Sequence, residues 1–287
     1  MVDQKADLLV RGYGLIEGPV WDADRGLIFS DVLGGGVFCL DADGVVSTLF
    51  EHRKGIGGMA LHPEGLVVSG RNVSLKPFDG SATRLLLDRD PDAGNVGYND
   101  LTTDDTGRIY VGSLGNSPVF ADDRAPAAGD LYLIELDGSA RKVAPDVRLT
   151  NGLGFSPDGR TLYHSDTYRR TVFQYAVASD GSLGEKTSFH RHKQGLPDGL
   201  AVAEDGSVWV ALADGGQGVD VINADGSWRS HISIEEPMCT SVCFGGDDLK
   251  DVYIVSGSDD APSDRHGAIY RYRSAVAGVP VAPAGVG

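Results

Sequence analysis

The sequence predicts an all-β fold, a six-bladed β-propeller with a metal site at one end of its central channel, and three observations carry that prediction. Six segments repeat one pattern: a small residue, a short alternating apolar run, a turn rich in Asp, Gly or Pro, and a second apolar run rich in β-branched and aromatic residues. The pattern recurs from residues 17, 57, 99, 151, 198 and 240, at spacings of 40, 42, 52, 47 and 42. Such a period is that of a propeller blade. No helical pattern interrupts the strands.

The elements follow in chain order. An apolar strand at 8–14 has no hairpin partner before it. The repeats themselves are hairpins at 16–31, 56–70, 98–113, 150–166, 197–212 and 240–256, each folding back over a turn rich in Asp, Gly or Pro. Weaker strand pairs at 37–50, 131–143, 171–183 and 219–232 are expected to complete blades, and AIYRYR at 268–273 follows the last repeat. Residues 1–287 are therefore read as a single propeller domain, its N- and C-terminal strands sharing one blade.

Composition excludes several classes. The 40 glycines suit a chain with many tight turns. No long apolar run or leader sequence is visible, so no membrane partner is expected. Three cysteines, Cys39, Cys239 and Cys243, form no CxxC pair. They imply a reducing, cytoplasmic setting and small buried thiols. With 25 Lys and Arg against 41 Asp and Glu, the net charge of −16 argues against a nucleic-acid partner and favours collection of a divalent cation.

One column of the repeat reads Glu17, Gly57, Asn99, Asn151, Asp198 and Thr240. In a propeller the first strand of each blade lines the channel, so these residues converge at one end. Two carboxylates and two amides make an oxygen-donor set for a hard divalent ion, and the lack of His or Cys disfavours zinc or copper. Calcium takes ~6–8 oxygens, which leaves positions for water and substrate. A second ring, at the end of each hairpin, reads Asp31, Gly70, Ser113, Asp166, Leu212 and Ser256. Asp166 is placed near the site and Asp31 is read as a turn former.

The strings EGPVW (17–21), YND (98–100), TNGLGFSPDGRTLYHSDT (150–167), PDGLAVAEDGSVWVAL (197–212) and CFGGDDLKDVYIVS (243–256) resemble the senescence marker protein, gluconolactonase and luciferin-regenerating enzyme family. That resemblance runs from about residue 15 to 273 and keeps the order of the motifs. It implies a six-bladed propeller with one divalent metal and, in many members, lactone hydrolysis. The family's metal-binding Glu, Asn and Asp fall on Glu17, Asn151 and Asp198, and its further Asn, a ligand or substrate contact, falls on Asn99. Sugar lactonases of the family carry an Arg two residues before this Asn, where the present chain has Gly97. Loss of that guanidinium removes donors suited to sugar oxygens, so the substrate is not expected to be a simple aldonolactone.

The expected chemistry is hydrolysis of a small-molecule lactone, with Asp198 as base, Asn99 on the carbonyl or ring oxygen, and Asp166 orienting water or Asn151. Calcium is the expected ion, with Mn2+, Mg2+, Fe2+ or Zn2+ as alternatives. Two other functions stay open: a phosphotriesterase or phosphofluoridate hydrolase of the same fold, and a non-catalytic calcium-binding protein. Tyr98, Leu212 and a long loop at 115–129 are read as giving the pocket apolar character, the loop either as a lid or as a plain connection. Arg71 and Asn72 could replace the missing Arg. His164 is expected at a blade interface, and His190 and His192 in solvent. The sequence leaves the oligomeric state open.

Overall fold

The computed structural model describes residues 4–51, 53–119, 123–125, 127–258 and 265–286. Two strands precede the repeats, β1 (Gln4–Lys5) and β2 (Asp7–Tyr13). The first blade comprises β3 (Ile16–Asp22), β4 (Gly26–Asp31), β5 (Val37–Leu40) and β6 (Val46–Phe50). The second is β7 (Met59–His62), β8 (Gly65–Val68), β9 (Val73–Pro77) and β10 (Arg84–Leu87). The third is β11 (Gly97–Thr103), β12 (Ile109–Leu114), β13 (Gly129–Ile134) and β14 (Ala140–Val147). The fourth holds β15 (Thr150–Phe155), β16 (Thr161–Asp166), β17 (Thr171–Ala176) and β18 (Thr187–Arg191), with a 3-10 turn at Thr167–Arg169. The fifth is β19 (Leu196–Val202), β20 (Val208–Ala213), β21 (Gly218–Ile222) and β22 (Trp228–Ser233). The sixth has β23 (Met238–Gly245), β24 (Asp251–Gly257) and β25 (Gly267–Arg273), and takes β2 as its outer strand.

The four strands of each blade are antiparallel, in sequence order in blades one to five and as β23-β24-β25-β2 in blade six, the arrangement of a six-bladed propeller. β2 pairs with β25 through Leu8↔Tyr270 and Val10↔Ile269. The two-residue β1 was not anticipated; it lies parallel on the outer edge of β22 in the fifth blade. The core sits between blades. Leu27 and Phe29 of blade one, for example, pack with Val255 and Ile269 of blade six. Burying apolar faces against the neighbour at ~25 cal/mol per Å2 is what holds such a ring together.

A β-bulge interrupts the pairing of the innermost strand in five blades. Register shifts fall between Glu17 and Val20, Tyr98 and Leu101, Thr150 and Leu153, Pro197 and Leu200, and Cys239 and Ser241. Each bulge lies at the repeat column, and a bulge re-aims side chains that a regular strand would alternate. The next position reads Gly18, Gly58, Asp100, Gly152, Gly199 and Ser241. Neighbouring inner strands approach closely there: a Cβ on Gly199 would lie 2.0 Å from Ser241 Oγ, and one on Gly152 only 2.3 Å from Leu200 N.

The C-terminal segment crosses the opposite mouth of the channel. Val279 N donates to Val202 O at 2.8 Å, Ala284 N to Leu61 O at 2.7 Å and Gly285 N to Gly107 O at 2.9 Å. His62 Nε2 lies 3.1 Å from Val286 O, and Thr103 Oγ1 donates to Ala282 O. These bonds tie blades five, two and three together and close a cavity of about 230 Å3, lined by residues that include Asp100, Trp21 and 279–282.

Candidate functional site

All six column residues line one open cavity of about 870 Å3 at the other mouth. Five of them stand on inner strands at a bulge, and Gly57 lies two residues before β7. Asn99 Nδ2 donates to Thr150 O at 2.8 Å and to Asn151 Oδ1, while Asn151 Nδ2 donates to Thr167 Oγ1 at 2.8 Å. Thr167 Oγ1 in turn donates to Pro197 O at 2.8 Å, the residue before Asp198. This chain fixes which atom each amide presents: both amide nitrogens are engaged with protein, Asn99 Oδ1 is left for the cavity, and Asn151 Oδ1, which accepts from Asn99, keeps its second lone pair for it.

Gly57 completes the arrangement by its lack of a side chain. A Cβ there would lie 2.0 Å from Asn99 Oδ1. Thr240 plays a different part, donating its hydroxyl to Ile16 O at 2.5 Å and Val255 O at 3.2 Å, so it is bound into the blade contact.

The electrostatics of the mouth are unfavourable without a counter-charge. Burial, followed by repulsion from Asp198 and Asp100, pushes the Glu17 carboxyl well above the carboxylate range, with the Gly18 N–H pulling the other way. Asp198 is raised in the same direction by burial and by Asp100, against the Gly199 N–H. Among the described residues no Lys, Arg or His pairs with either, and the buried Asp198 Oδ1 has no hydrogen-bond partner. Buried carboxylates of this kind demand protonation or a cation. The described residues hold no cluster of three His, Cys, Asp or Glu at metal-binding spacing. Here the donor set is two carboxylates completed by two amides, and it fits a hard divalent ion.

Asp100 is a third carboxylate that the column did not include. Burial pushes it up to about 7, and its Oδ1 accepts the Leu101 N–H at 2.8 Å. The signal was present in the sequence: next to the column, four of six repeats have Gly, and Asp100 is an exception. Thr167 was also missed, since its place on a 3-10 turn lies beyond the end of the hairpin pattern.

The second ring stays largely outside the mouth. Asp166 is buried; it accepts Arg148 N at 3.1 Å and Leu149 N at 3.3 Å, and pairs with Arg169 Nη1 at 2.5 Å. It holds the backbone that leads into Asn151 and is not among the cavity-lining residues. Asp31 does the same in blade one, accepting Gly14 N at 3.1 Å, Leu15 N at 3.3 Å and Gly34 N at 2.8 Å. Tyr98 is 2 % exposed and its ring packs between blades two and three, with its hydroxyl donating to Asp88 O at 2.9 Å. His192 departs from the expectation of a solvated side chain: it is buried, with Nδ1 3.1 Å from Asp220 Oδ2. His164 is wholly buried, its Nε2 2.9 Å from Thr150 Oγ1, and burial lowers it to about 3, so it stays neutral. Of the 115–129 loop, Ser117, Pro118, Val119, Asp123 and Arg124 line the cavity. Residues 120–122 and 126, and with them the choice between lid and connection, lie outside the described residues.

Gly97 has a steric reason to be glycine. A Cβ would sit 2.8 Å from Gly70 O and 3.7 Å from Arg71 Cα, because Tyr98 N donates to Gly70 O at 2.7 Å and draws the two blades together. Arg71 lines the cavity beside it.

Residues 15–258 match the family model of the SMP-30/Gluconolactonase/LRE-like region. A 6-deoxy-6-sulfogluconolactonase of Pseudomonas putida is 32% identical over 255 residues, covering 86% of this chain and 85% of its own. Pentonolactonase XacC of Haloferax volcanii is 27% identical over 282 residues, 92% of each. Among solved structures, a luciferin-regenerating enzyme superposes with a TM-score of 0.83 at 24% identity, over 96% of this chain and 98% of that one.

Proposed function

Since this chain belongs to the SMP-30/gluconolactonase/LRE-like family, we propose that it is a divalent-metal-dependent hydrolase that opens a lactone ring. The observation that carries the reading is the pair of buried carboxylates, Glu17 and Asp198, without a basic partner beside two oriented amides. Lactonase relatives support the reaction class, and the regucalcins among the relatives fit a calcium-binding site.

Glu17, Asn151 and Asp198 would hold the ion, with Asn99 as a fourth ligand or a substrate contact. When bound, a divalent cation supplies polarisation of the lactone carbonyl and the charge balance that the two carboxylates lack. Asp198 Oδ1, free of any protein donor, takes a proton from the attacking water. The water oxygen then bonds to the carbonyl carbon and the ring C–O bond breaks. The departing ring oxygen takes up that proton, so one water gives a hydroxy acid, which ionises. Asn99, whose two N–H bonds are used within the protein, offers Oδ1 to the ion or to a substrate hydroxyl, while Thr167 and Asp166 keep Asn151 and its strand positioned.

The substrate differs from a simple aldonolactone, since no guanidinium projects from position 97. Acid release from a panel of γ- and δ-lactones, with calcium added, is the test. Wild-type protein opens at least one of them, and Asp198→Asn lowers kcat by ~10^2-fold or more, the usual worth of a general base. Failure on every lactone with every divalent metal would sink the reading.

A further inference from the structure

The geometry points to a ligand that carries an anionic group, seated against the blade-two wall of the mouth by Arg71, Arg89 and Lys54. This inference rests on the lactonase reading for the ring that is opened, but not for the charge. The three cations line the same cavity as the column residues. Lys54 stands on the connection into blade two, Arg71 just after β8, and Arg89 just after β10. In this acidic chain Arg25, Arg108, Arg169, Arg229 and Arg273 each face a carboxylate. Among the described residues no hydrogen bond or ion pair engages the side chains of Lys54, Arg71 or Arg89.

The backbone holds this wall close to the ring of donors. The Tyr98 N–H bond to Gly70 O and the bare Gly97 let Arg71 abut the strand that carries Asn99. Behind it, Arg53 donates to Asn72 Oδ1 at 3.2 Å, and Ser74 Oγ donates to the same oxygen at 2.8 Å. That guanidinium is thus partly buried against a neutral partner and adds to the positive field. The acidic lining residues do not cancel it: Asp123 adjoins Arg124, Asp214 belongs to blade five, and Glu17 and Asp198 are balanced by the ion they would hold. An arginine fork in a concave wall suits a carboxylate, sulfonate or phosphate.

The test compares γ-butyrolactone with the same ring bearing a carboxylate, 5-oxotetrahydrofuran-2-carboxylate, by acid release in the presence of calcium. Calorimetry of their ring-opened products, 4-hydroxybutyrate and 2-hydroxyglutarate, runs in parallel. A preference of ~10-fold or more in kcat/KM for the carboxylate lactone is expected, as charge-assisted bonds give. It should shrink in high salt and fall toward one in Arg71→Ala and in Arg89→Ala, with Arg71→Lys between. Equal rates for the two lactones, or a preference unchanged in the double Ala variant, overturns the inference and leaves the lactonase reading standing. If neither lactone opens but 2-hydroxyglutarate binds in an Arg71-dependent way, the anion site stands and the lactonase reading falls. Neither turnover nor binding overturns both.

Discussion

Asp198 Oδ1 is buried, lacks a hydrogen-bond partner and sits in a cavity shared with Glu17, so a proton and a cation compete for the same atoms. Both carboxyls are raised by burial, hence in the metal-free protein they stay protonated to higher pH than free carboxylates do. A cation must displace those protons, so its binding strengthens as pH rises. Calcium-induced stabilisation should therefore grow between pH 5 and 8, read as the difference in Tm with and without the ion; at 100 times its Kd the ion adds ~2.7 kcal/mol. Taking the difference cancels the contribution of His164, which changes stability with pH in the same direction and would otherwise be mistaken for it. That histidine is held near 3 in the fold and so destabilises as pH falls through the free value of 6.5. A difference that is flat with pH, or larger at pH 5, contradicts the carboxylate site.

Gly57 offers a second test at this scale. Gly57→Ala puts a methyl where Asn99 Oδ1 lies, 2.0 Å away, and displaces that amide. Misplacement of this order costs ~10^2-fold in rate. Wild-type kcat/KM in this variant would remove Asn99 from the site. The four oxygen-bearing column residues were legible because the repeat aligned them. Asp100 and Thr167 were not singled out: one stood only inside the string YND, beside the column, and the other lies past the strand end.

Hairpins were the most legible elements, since each copy has alternating apolar runs on either side of a turn rich in Asp, Gly or Pro. Bulges were not, because an unpaired residue leaves no mark in hydrophobic alternation beyond a glycine. The outer strands of blade two, β9 and β10, also escaped: VSLKP carries a Pro and RLLL is short. Of the 171–183 pair only β17 is a strand there, and its partner β18 begins at Thr187 after a longer connection. The glycine ring beside the bulges is where neighbouring strands come closest. Gly199→Ala would drive a methyl to 2.0 Å from Ser241 Oγ and 2.7 Å from Ser241 Cα. Overpacking of that kind costs ~1–3 kcal/mol. Denaturant midpoints measure it, and an unchanged midpoint would mean that the inner strands have more slack than the structure allows.

The whole molecule is a ring held by non-local contacts, in which six blades could be counted from the spacing of the repeats. The C-terminal strap could not be foreseen, since AVAGVPVAPAGVG has no strand period and its docking is made by backbone groups. Deleting 276–287 should open the lower cavity and lower Tm, because buried Ala284 and Val286 leave the core between blades two and three. A truncated protein that melts like the full chain would show the strap to be an ornament of the fold. The net charge of −16 acts at this scale too. It concentrates cations near the mouth and should make calcium affinity fall as salt rises. The most direct check of the central claim is stepwise return of calcium to metal-stripped protein, with bound ion and lactone opening followed together. Activity is predicted to rise in proportion to occupancy and to level off at one ion per chain, and Glu17→Gln with Asp198→Asn should bind none. Full activity in the stripped protein, or tight binding of one ion by that double variant, would contradict it.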